Sequence, residues 1–199
     1  MAAVFLPLKL GWLNGLFPRS AFHAANVLPL LLAINVALAA FLFVRRMEGI
    51  GYSIGWRRGW INAVVLSFLV VAAIDIPAGL ALHFIRFDPY AAPWRGLPLA
   101  LLGTFILTAW PEEFFFRGLL QNSLRNTLRS ENAGWLAASV LFGLSHIGNN
   151  GFPNWRYALL ATVAGLGYGI AWRKTASIFP AAMVHTLVNV AWHLLFPTL

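Results

Sequence analysis

Long apolar stretches alternate with short polar breaks along this chain, and their spacing predicts helices. Phe22 to Val44 carries no formal charge. A second stretch runs from about Trp60 to Ile85 and is interrupted by Asp75 and Pro77. A third begins at Leu97 and runs into Trp110-Pro111-Glu112-Glu113. Three more follow, from about Ala133 to Gly148, Trp155 to Trp172 and Ala176 to Phe196. A bilayer-spanning helix takes about 20 apolar residues, so the fourth and fifth stretches must borrow flanking residues. Backbone inside lipid has to satisfy its own hydrogen bonds, which selects helix. The expected fold is all-α: a polytopic transmembrane helical bundle of about six spans. The loops leave no room for a second domain. Residues 1–96 are expected to form an interfacial segment (1–21) and the first two transmembrane helices, with residues 97–199 as a helical core of the same membrane domain. Ala161, Gly165 and Gly169 put small residues on one face of the fifth helix, which favours close helix packing.

Composition strengthens the membrane reading. Sixty per cent of the 199 residues are hydrophobic and 10% are charged, against about 25% charged in a soluble domain. With Phe 16 and Trp 9, a water-soluble globule could not hide the apolar surface. A soluble enzyme, a disordered tail and a nucleic-acid module are poor readings. The net charge of +8 comes from 14 Lys+Arg against 6 Asp+Glu, with no long basic run. Such short clusters reflect topology and anionic lipid, so no nucleic acid is expected as a partner. The absence of cysteine removes disulfides, Cys-ligated zinc and thiol catalysis. Lys9 and Arg19 precede the first apolar run, but no small-residue cleavage site follows it, so a removed signal peptide is not expected.

Two of the six acids are adjacent, Glu112 and Glu113, in an otherwise apolar setting. A carboxylate at membrane depth costs about 2–4 kcal/mol, which a partner or a function must offset. Glu113 and Arg117 are i,i+4 with the acid first, the better order for a helical pair, and Arg stays charged. Glu113 is therefore expected to be neutralised and structural. Glu112 lies about 100° around the helix and is left available as a general base. His146 follows Phe142 by one turn, and His185 precedes Asn189 by one turn. These groups offer a water activator and neutral hydrogen-bond donors for a developing oxyanion. His83 and His193, near helix ends and without a patterned partner, read as structural.

Glu112-Glu113-Phe114-Phe115-Phe116-Arg117 resembles the Glu-Glu-x-x-x-Arg motif of the CPBP family of intramembrane proteases. Phe142-Gly143-Leu144-Ser145-His146 resembles its Phe-x-x-x-His motif, and His185-Thr186-Leu187-Val188-Asn189 its His-x-x-x-Asn/Asp motif. The resemblance covers roughly residues 100–195. The family includes CAAX proteases, bacteriocin-processing enzymes and immunity (Abi) proteins. The resemblance implies a glutamic intramembrane endopeptidase with residues 97–199 as its catalytic core. Glu112 with His146 would activate water, and His185 and Asn189 would form the oxyanion hole. Glu113 and Arg117 would hold the acidic helix, with Phe142 in support. It also implies a membrane-associated protein or peptide as substrate and no metal cofactor. If zinc were used instead, Glu112, His146 and His185 would be its ligands.

Two other classes compete. A non-catalytic immunity or scaffold protein of the same fold would keep the helices without the chemistry. A small transporter would use Asp75, Glu112 and His146 as a proton path, although no internal repeat is present. The expected location is the plasma (inner) membrane, as a multi-pass protein. Loops one, three and five carry eight basic residues (Arg45, Arg46, Arg57, Arg58, Arg125, Arg129, Arg173, Lys174) against five on the other side (Lys9, Arg19, Arg86, Arg95, Arg156). The positive-inside rule then turns the site toward the extracytoplasmic face.

Overall fold

A computed structural model describes residues 36, 39–53, 57–90 and 94–199. The chain divides into two compact units, residues 1–48 and 49–199. Of the first, the described part includes a π-helical turn, Ala40–Val44. The expected interfacial segment 1–21 lies outside the described residues, as does most of the first predicted span.

The second unit is built of helices, with no strand among the described residues beyond an isolated bridge between Ile85 and Thr198. They are α1 (Trp60–Ala81), α2 (Leu97–Leu128), α3 (Glu131–Leu144), α4 (Trp155–Thr175) and α5 (Ile178–Leu195). Helices α1, α2 and α5 are long and apolar enough to cross a bilayer. Helix α3 has 14 residues, about 21 Å at 1.5 Å per residue, less than the hydrocarbon thickness. Helix α4 has the length, but Arg156 near its start and Arg173 and Lys174 at its end lower its apolar content.

Local chemistry sets the helix starts. Ser130 Oγ accepts from the Ala133 N–H at 3.2 Å, Asn154 Oδ1 from Tyr157 N–H at 3.1 Å, and Ser177 Oγ from Phe179 N–H at 3.2 Å. Each side chain satisfies an N–H that the helix cannot. At the far end of α1, Arg156 reaches the carbonyls of Leu82 and His83 at 3.3 and 3.4 Å, a basic group at a helix C-terminus.

Helix α2 is not regular. It is π-helical over Phe105–Ala109, α-helical over Trp110–Glu113, and π-helical again over Phe114–Gln121. Pro111 brings no N–H and cannot continue the α ladder. The wider turn before it absorbs the defect: Trp110 N–H donates to Phe105 O, five residues back. Such π turns concentrate at functional sites, and here they bracket Glu112 and Glu113.

Polarity is inside and hydrocarbon outside. Ile61, Val65, Leu66, Leu69, Val70 and Ile74 form an exposed apolar flank on α1. Asp75, Glu113, Arg117, Gln121, Asn122 and His185 are buried. That inversion suits a bilayer, where ionisable groups face the bundle interior. Helix α4 packs against α1, α3 and α5, and its small residues allow it. A Cβ on Gly165 would meet the Phe142 ring at 3.1 Å, and one on Gly169 the Trp135 ring at 2.5 Å. From the facing helix, a Cβ on Gly143 would collide with Thr162 and with the Ala158 carbonyl. Backbone cannot step aside as a flexible side chain can. Gly143→Ala is therefore expected to cost about 1–3 kcal/mol, read as a lower thermal midpoint of the detergent-solubilised protein.

Candidate active site

Glu112, His146, His185 and Asn189 line one cavity of about 240 Å³. Helix α2 supplies Glu112, the turn after α3 supplies His146, and α5 supplies His185 and Asn189. Phe142, Tyr157, Tyr168 and Trp192 form much of its aromatic wall, and Asp75, Asn149 and His193 add polar groups.

His146 is held by its own helix end. Its Nδ1 lies 2.8 Å from the Phe142 carbonyl oxygen and 3.1 Å from Ser145 Oγ. A carbonyl only accepts, so Nδ1 carries the proton toward Phe142, and a neutral ring then presents Nε2 as an acceptor. The last carbonyls of any helix need donors from outside the helix. His146, one turn after Phe142, supplies one and is oriented by doing so.

The two glutamates diverge. Glu113 is fully buried, with Oε2 2.9 Å from Arg117 Nε and Oε1 2.9 Å from His185 Nδ1. Arg117 is also fully buried, and its guanidinium sits 5.2 Å from the Phe142 ring centroid and 5.7 Å from that of Tyr168. Aromatic faces thus supply part of the surroundings that water would otherwise give the cation. Glu112 is partly exposed to the cavity. Its Oε2 makes no hydrogen bond among the described residues. Glu113 is thus the acid beside Arg117, and Glu112 is the acid that lines the cavity.

His185 pairs with Glu113 across the bundle, from α5 to α2. With Nδ1–H donating to the carboxylate, a neutral imidazole would offer only a lone pair at Nε2. A donor at Nε2 requires the imidazolium. The sequence alone predicts a neutral donor, because nothing in the spacing pairs His185 with Glu113 across 72 positions.

Helix α4 adds two residues that the sequence reading missed. Tyr157 stacks on His146 with centroids 5.5 Å apart and planes 17° apart, and Tyr168 stacks on His185 at 4.5 Å and 13°. They are about three turns apart on the same helix, flanking the small-residue stripe. That shared face was the available signal. Phe142 touches both imidazoles, at 4.7 Å from His146 and 5.6 Å from His185, so it separates and fixes the two rings. His193 borders the cavity although its sequence context suggested a structural role, and His83 does not border it. Among the described residues, no three His, Asp or Glu side chains form a group that could hold a metal ion.

No curated protein and no solved structure matches the chain. Residues 94–191, about half of the chain, match the model of the family described as type II CAAX prenyl endopeptidase Rce1-like. That segment begins just before α2 and ends within α5, and it contains every one of the motif residues around the cavity. Across residues 94–191, with their helical fold and membrane-competent helices, the protein carries the domain of this endopeptidase family, consistent with a CPBP intramembrane protease.

Proposed function

We propose that the protein hydrolyses a peptide bond in a membrane-associated protein or peptide by a glutamic, metal-free mechanism. The observation that carries this reading is the shared cavity of Glu112, His146, His185 and Asn189. Glu112 and the Nε2 lone pair of His146 accept the proton of a water as its oxygen attacks the scissile carbonyl carbon. The carbonyl oxygen becomes an oxyanion, which takes hydrogen bonds from the Asn189 amide and from Nε2–H of the His185 imidazolium. Glu113 keeps that imidazolium in place through Nδ1, and Arg117 balances Glu113. Collapse of the intermediate breaks the C–N bond, and the proton held by Glu112 and His146 passes to the leaving amine.

The test is cleavage by purified protein in vesicles, with and without a chelator. Asn189→Ala is expected to lower turnover by about 10²–10³-fold, the usual loss for one oxyanion donor. Wild-type cleavage is expected to persist in chelator. Activity abolished by chelation and restored by zinc would replace this mechanism with one in which Glu112, His146 and His185 ligate the metal.

The site's orientation belongs to the same proposal. Arg57, Arg58, Arg125, Arg129, Arg173 and Lys174 lie at or near the α1 start and the α2–α3 and α4–α5 turns. Arg86, Arg95 and Arg156 lie at the other helix ends, with the turn that carries His146. Six against three supports a cavity in the extracytoplasmic half of the plasma membrane, suited to trimming exported or surface-anchored proteins. Alkaline phosphatase fused after Leu199 is expected to be active. An inactive phosphatase with a fluorescent green-protein fusion would turn the cavity to the cytoplasm.

A further inference from the structure

Helix α1 lies outside the matched segment 94–191, yet it contributes a carboxylate to the cavity. Asp75 is 5% exposed. It lines the same cavity as Glu112, His146, His185 and Asn189, and its Oδ1 makes no hydrogen bond among the described residues. Glu113 differs: that acid, fully buried, has both a guanidinium and an imidazole against it.

Among the described residues the cavity is lined by two carboxylates, Asp75 and Glu112, and by no Lys or Arg side chain. A buried carboxylate without a counter-ion is costly, and the cost falls when a cation arrives. Asp75 also borders a small apolar cleft between α1 and α5, formed by Phe68, Ala72, Ile76, Val188 and Trp192 among others. Val188 and Trp192 line both spaces. A carboxylate at the end of an apolar wall matches a side chain with an aliphatic stem and a cationic head, which buries its methylenes and keeps its charge at a polar site.

We infer that Asp75 is a specificity-determining residue that receives a lysine or arginine side chain of the substrate next to the scissile bond. This rests on the endopeptidase reading of the cavity. It gives α1 a direct part in substrate choice, while the hydrolytic groups all come from α2 to α5.

The test uses the full chain in vesicles with a library of hydrophobic peptides. One position near the centre carries Lys, Arg, Gln or norleucine in equal amounts, and cleavage products are read by mass spectrometry. Wild-type protein is expected to cut the Lys and Arg peptides at least about tenfold faster than the Gln and norleucine peptides, the ratio set by one desolvated charge pair. Asp75→Asn should bring that ratio to about one, and Asp75→Glu should retain part of it. As a measurement on the unaltered protein, pentylguanidinium should inhibit cleavage and hexanamide, of similar length and uncharged, should not. A wild-type ratio near one, an unchanged ratio in Asp75→Asn, or equal effects of the two inhibitors would overturn the inference and leave Asp75 as a helix-packing acid. Glu112→Gln separates the two levels of the argument. If it is inactive on every peptide while the ratio test fails, only the role of Asp75 is lost. If it cleaves like wild type, the hydrolytic reading falls and the role of Asp75 falls with it.

Discussion

Glu112→Gln is expected to reduce peptide cleavage by about 10²–10⁴-fold, the range for loss of a general base, while the protein stays folded and inserted. The substitution keeps the side chain's size and removes only its ability to take a proton. Nothing in the described fold hangs on the carboxylate: Oε2 makes no hydrogen bond among the described residues, and the side chain faces the cavity. Neighbouring Glu113, not Glu112, ties α2 to α5. The measurement is turnover in vesicles beside the thermal midpoint in detergent. Full activity in the variant, or full biological function in complementation, would favour the non-catalytic scaffold of the same fold.

Arg117→Ala should act in the opposite way, on the fold first. It would leave the fully buried Glu113 with His185 alone and remove a guanidinium packed against Phe142 and Tyr168. Breaking a buried ion pair from one side costs about 3–5 kcal/mol, a large share of the 5–15 kcal/mol that stabilises a typical domain. The expected result is a strong fall in folded, monodisperse protein on size-exclusion chromatography. Activity would be lost with it, because Glu113 positions His185. Replacing Glu113 by Gln together with Arg117→Met removes both charges. That double variant should recover much of the folded yield, since replacing a buried pair by neutral groups is often tolerated, without recovering turnover. A single Arg117→Ala that folds like wild type would show that Glu113 does not need its cation.

The difference between Glu112 and Glu113 was readable from the chain because helical spacing is local. An acid four residues before an arginine has its partner within reach, and its neighbour points elsewhere. The apolar stretches were readable for the same reason, while the caps at Ser130, Asn154 and Ser177 that set the helix starts came from the structure. Three polar motifs in apolar segments also had to avoid lipid, so a common interior was expected. What spacing cannot give is the partner chosen across the bundle. His185 meets Glu113, Tyr157 and Tyr168 lie against the two imidazoles, and α1 brings Asp75 to the cavity wall. Each depends on how α1, α4 and α5 rotate and pack. That rotation is fixed by glycines whose missing side chains let backbones approach, and by the π turns around Pro111 that re-aim the acidic segment. The sequence by itself determined the helices, their membrane setting and which acid is paired within its own helix. Only the tertiary structure decided that His185 pairs with Glu113 and that Asp75 is the cavity's second acid, because both follow from contacts between segments that lie far apart in the chain.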